Sequence, residues 1–102
     1  MILRSCNADF TSEYDLSFQW PNQIGAEVFP KIWDPNSTCG NGLHGFMGGE
    51  GDSYLADWSD SAQWIVFTGD IMVNIHDAKV KTNKATIVYI GQGVTAFDRF
   101  QD

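Results

Sequence analysis

Alternation of apolar and polar residues recurs along this chain, and a period of two predicts strands with one buried face. Leu16, Phe18 and Trp20 alternate with Ser17 and Gln19 and predict a strand that Pro21-Asn22 ends. Ile71, Val73 and Ile75 alternate with Met72 and Asn74 and predict another. Two runs, Gln63–Thr68 and Ala85–Ile90, are instead continuously apolar, β-branched and aromatic, the pattern of strands covered on both faces. The first of these is expected at the centre of a sheet. Shorter strands are expected at Ile2–Cys6, Ala26–Phe29 and Leu43–Met47. Lys79-Val80-Lys81 reads as an edge strand, where lysines discourage pairing with foreign chains.

A helical period is visible in two places. Tyr54, Leu55 and Trp58 predict one or two turns over Ser53–Asp60, with Asp52 or Ser53 as the cap. Val94, Phe97 and Phe100, three apart, predict a C-terminal helix that docks those residues on the sheet. The expected class is α+β, a mainly antiparallel β-sheet with one or two short helices, and residues 1–102 are read as a single α+β domain. There is no internal repeat and no linker.

Composition fits a folded chain: 43% of its 102 residues are hydrophobic, and 4 Trp, 7 Phe and 3 Tyr supply core volume. Charge adds more. The net charge is -7, and residues 5 to 78 hold 11 of the 13 acidic residues against one basic residue, Lys31. Such a balance opposes contact with nucleic acid or anionic lipid. It serves solubility, or it serves docking to a basic partner. No export signal or membrane-length apolar run is visible, so a cytoplasmic setting is expected, with Cys6 and Cys39 reduced and buried.

Six of the ten glycines fall between Gly40 and Gly51, which marks backbone in unusual conformations or in close approach to something. Cys39 and His44 could ligate zinc, but a structural site needs four ligands, and only Cys6 and His76 remain as further soft donors. A packed or hydrogen-bonded His44 is the simpler expectation. Gly48-Gly49-Glu50-Gly51-Asp52 lacks the Gly-Lys-Ser/Thr ending of a phosphate loop, and its carboxylates would repel phosphate. Cys39, His44 and Asp52 supply the residue types of acyl transfer without the spacing of any nucleophile motif, and Asp57 and Asp60 read as a solvated pair. No catalytic residue, metal site or cofactor is assigned.

Asn7-Ala8-Asp9, Phe18-Gln19-Trp20-Pro21, Cys39-Gly40-Asn41-Gly42-Leu43-His44-Gly45, Gly49-Glu50-Gly51-Asp52 and Trp64-Ile65-Val66 together resemble a family of small uncharacterised proteins of bacteria and their phages. The likeness covers most of the chain and centres on Cys-Gly-x-Gly-Leu-His-Gly. It implies a source and no activity. The order of Gly42-Leu43-His44, the Ser53–Asp60 helix and the Trp64–Phe67 strand also resembles the ADP-ribosyltransferase fold, which implies a nucleotide site at His44, Gly42 and Glu50.

Two functions follow as expectations. The leading one is a small acidic phage-encoded protein that inhibits a host defence complex by occupying its basic nucleic-acid-binding surface, a CRISPR effector being one such target. Glu50, Asp52, Asp57 and Asp60 would face its Lys and Arg side chains, with Tyr54, Trp58 and Trp33 as anchors. The competing one is a nucleotide-using enzyme centred on His44. Oligomeric state is not legible in the sequence.

Overall fold

In a computed structural model, residues 1–12, 17–38, 40–47, 59, 61–76 and 79–100 are described. Among these residues, seven strands and one helix follow in chain order: β1 Ile2–Cys6, β2 Glu27–Val28, β3 Leu43–Met47, β4 Gln63–Gly69, β5 Met72–His76, β6 Lys79–Thr82, β7 Ala85–Gly91 and α1 Gly93–Phe100. The strands form one sheet in the order β2-β7-β4-β1-β3-β6-β5, every neighbouring pair antiparallel. The α+β, mainly antiparallel reading therefore holds.

β4 lies inside the sheet between β1 and β7, with Leu3 opposite Val66 and Ile65 opposite Ile90. Its run Trp64-Ile65-Val66-Phe67 is wholly buried because successive side chains enter two different cores. Ile65 and Phe67 join Ile2, Cys6, Leu43, Val80 and Ile87 on one face. That face is closed by Phe10, Phe18 and Trp20, with the Trp20 and Phe67 rings 5.1 Å apart. Trp64 and Val66 join Leu3 and Ala96 on the other face, where α1 packs across β4, β7 and β1. There the Trp64 and Phe97 rings meet edge to face at 5.5 Å, the favoured geometry of an aromatic pair.

Four expectations change. Lys79-Val80-Lys81 is not at an edge: β6 lies between β3 and β5, and β5 is terminal among the described strands. The hydrophobic pattern identified it as a strand but carried no information about its neighbours. Ala26–Phe29 contracts to Glu27–Val28, with Pro30 close behind. The 16–20 alternation does not make a strand over its described part. Trp20 and Phe18 turn inward from a loop pinned by an isolated Thr11–Gln19 bridge and by the Trp20 amide donating to Phe10 O. Helix α1 buries Ala96 and packs the half-buried Phe97 and Phe100 against the sheet, whereas Val94 is 67% exposed, because a spacing of three drifts off a face that turns every 3.6 residues. The expected Ser53–Asp60 helix falls outside the described residues apart from Ser59. Cys6 is buried; Cys39 also falls outside the described residues. No helix among the described residues is long and apolar enough to cross a membrane.

Candidate functional site

The glycine-rich motif folds back onto the strand that follows it. Gly40 has φ +100° and Asn41 has φ 51°, so two successive residues take left-handed backbone; glycine adopts it without penalty, and asparagine tolerates it better than most residues. The turn they make carries the chain over the face of β3 and β6. In register, His44 pairs with Lys81 and Phe46 with Lys79, which sets the His44 ring and the Lys81 side chain side by side.

The Gly40 amide donates to His44 Nε2 at 3.0 Å. Because Nε2 accepts, the neutral ring carries its proton on Nδ1. Lys81 is fully buried, and its Nζ donates to the carbonyls of Thr38, at 3.0 Å, and Gly40, at 3.3 Å. The same ammonium lies 5.7 Å from the Trp33 ring centre, within reach of a cation–π attraction. A Cβ on Gly42 would sit 3.1 Å from both the Lys81 stem and the Trp33 ring, so the backbone approaches these two side chains as closely as a side chain-free residue allows. Behind the strand, Arg4 donates to the His44 carbonyl at 3.3 Å and lies 4.9 Å over the Trp20 ring.

Burial pushes the His44 imidazole down from 6.5 to about 4, and the positive charges of Lys79, Arg4 and Lys81 act in the same direction. A hydrogen bond with the Gly42 backbone works the other way and is outweighed. The ring is therefore neutral near pH 7, with Nε2 already committed to the loop. What the arrangement does chemically is hold Thr38, Gly40 and Gly42 against the sheet. Its in-plane lone pair is occupied, so in this state it is not a free general base.

Of the residues singled out from the sequence, the structure brings together Trp33, Gly42 and His44. Glu50, Asp52, Asp57, Asp60, Tyr54 and Trp58 lie outside the described residues. Trp33 is half-buried, with one contact toward Lys81. The residues that sequence reasoning missed are Lys81 and Arg4. A lysine between Val80 and Thr82 looks like the solvent-facing member of an alternating strand, and only the covering loop makes it an interior one. Among the described residues, no group of three or more His, Cys, Asp or Glu side chains could hold a metal ion.

No family model and no solved structure matches this chain. Among curated proteins, an ice nucleation protein of Pseudomonas fluorescens is similar to it, 30% identical over 105 aligned residues. The alignment takes in 100% of this chain and 8% of the relative, so the chain spans a small part of that protein's length.

Proposed function

We propose that this chain is a non-catalytic protein-binding module whose partner presents a basic surface. The observation that carries the reading is the acidic imbalance, 11 acidic residues against one basic residue between positions 5 and 78. Complementary charge of this kind steers encounter and selects partners. One further point supports binding over catalysis: His44, the best catalytic candidate, is engaged in holding the Gly40 turn.

The partner class that fits best is a protein that holds nucleic acid in a cationic groove, and a host defence effector is a member of that class. The test is titration of such an effector, with and without its nucleic acid, by the chain and by a variant carrying Glu50→Lys, Asp52→Lys, Asp57→Lys and Asp60→Lys. The chain should bind the empty effector, lose affinity as salt rises, and be displaced by nucleic acid. Equal binding by the charge-reversed variant would reject the reading.

A second reading is favoured by the alignment alone: the chain contributes to ice nucleation as a unit of a longer protein. Droplet-freezing temperatures of cells making an ice-nucleating protein with and without this segment would decide it.

A further inference from the structure

Asn41 is the one asparagine in the chain that glycine follows; Ala8, Gln23, Ser37, Ile75 and Lys84 follow the other five. The carboxamide of an asparagine can be attacked by the backbone nitrogen of the next residue, and glycine, with no Cβ, shields that nitrogen least. Asn41 is exposed, so water can reach the product. Its backbone, however, holds the reaction back. With φ at 51° the residue lies in the left-handed region, where the next nitrogen points to the side of the Cα–C bond opposite Cβ. The Gly42 nitrogen cannot reach Asn41 Cγ until that conformation is left, because closure needs the reacting atoms close and aligned.

The neighbours of Asn41 keep it there. One residue before, the Gly40 amide donates to His44 Nε2 at 3.0 Å, and the Gly40 carbonyl accepts from the buried Lys81 Nζ at 3.3 Å. The Asn41 carbonyl accepts from the Asp34 amide at 3.0 Å. One residue after, the Gly42 backbone lies so close to the Lys81 stem and the Trp33 ring that a Cβ would sit 3.1 Å from both. Gly40, Asn41 and Gly42 are thus each tied to another part of the fold.

We propose that Asn41-Gly42 is a self-modifying site, where an internal imide closure followed by hydrolysis is held off by the His44 and Lys81 contacts and proceeds when the turn opens. The Gly42 nitrogen gives up its proton and bonds to Asn41 Cγ as the Cγ–Nδ2 bond breaks, and ammonia leaves with that proton. Water then opens the succinimide ring at either carbonyl. The product is aspartate, or an isoaspartate whose main chain is longer by a methylene. Either product adds a negative charge to the existing -7. The new carboxylate belongs to the residue next to the carbonyl that Lys81 holds, and among the described residues no carboxylate pairs with that buried ammonium. Because the change is not reversed, its extent records how often the turn has opened.

The test is incubation of the folded chain at neutral pH, with peptide mapping by mass spectrometry and chromatographic separation of aspartate from isoaspartate. Conversion should appear at Asn41 ahead of Asn36, which is also exposed but precedes Ser37. It should be at least about fivefold slower than in the same chain unfolded in guanidinium chloride. Lys81→Met and His44→Ala, which each remove one tie, should speed it at least about threefold while the near-ultraviolet circular dichroism stays that of the parent. Ala96→Leu, which strains the core beneath α1, should leave the rate within about twofold. First conversion at another asparagine, or equal rates in the folded and unfolded parent, would overturn the proposal without recourse to any variant. Rates unchanged in both Lys81→Met and His44→Ala would also overturn it. So would an equal acceleration by Ala96→Leu, which would trace the reaction to global unfolding.

Discussion

A buried lysine is tolerable when its ammonium is given acceptors, and Lys81 has two carbonyls and an aromatic face. Replacement by methionine would keep the stem but leave the Thr38 and Gly40 carbonyls without this donor. Lys81→Met should therefore lower stability by about 1–3 kcal/mol, read from the urea midpoint. His44 carries a pH dependence in the same loop. Its pKa is lower in the folded chain, about 4, than the ordinary 6.5, so the unfolded chain takes up the proton first as pH falls. The contribution is complete above pH 6.5 and is lost as pH drops toward about 4, the folded-state value. Urea midpoints measured across that window should fall more steeply for the parent than for His44→Gln.

At the scale of elements, α1 shows how a spacing can identify a helix and misplace its face. Val94, Phe97 and Phe100 marked the segment correctly, yet the residue seated against the sheet at the start of the helix is Ala96, which is completely buried. Val94→Ala should change stability by less than about 0.5 kcal/mol, whereas Ala96→Leu should cost about 1–3 kcal/mol through overpacking, both read by thermal or chemical unfolding. The continuous apolar runs of β4 and β7 were legible because burial on both faces leaves no polar alternation to confuse. The location of β6 was not, since strand order depends on pairings between distant segments and the lysines that suggest an edge are equally compatible with a loop folding over one of them. The motif around His44 was legible as unusual backbone and a packed histidine. Its partner Lys81 was not, because the two meet only through the β3–β6 register.

For the molecule as a whole, the described strands and α1 close two aromatic cores on the two faces of one sheet, while the acidic excess is a property of the sequence between residues 5 and 78. Near-ultraviolet circular dichroism of the variant carrying Glu50→Lys, Asp52→Lys, Asp57→Lys and Asp60→Lys separates loss of partner binding from loss of the aromatic cores: an unchanged spectrum with binding abolished is the expected result.

The sheet order has a consequence for assembly. β1, earliest of the strands in sequence, is enclosed by β3 and β4, and its Leu3 belongs to the core that α1 closes. Local hairpins such as β5–β6 can zip by themselves, but the middle of the sheet must wait until Ile2–Cys6 has found Gln63–Gly69 across more than half the chain. A fragment cut off ahead of β4 would thus be left without either completed interior, and a nick anywhere between the two strands would turn a folding step into an encounter between two pieces.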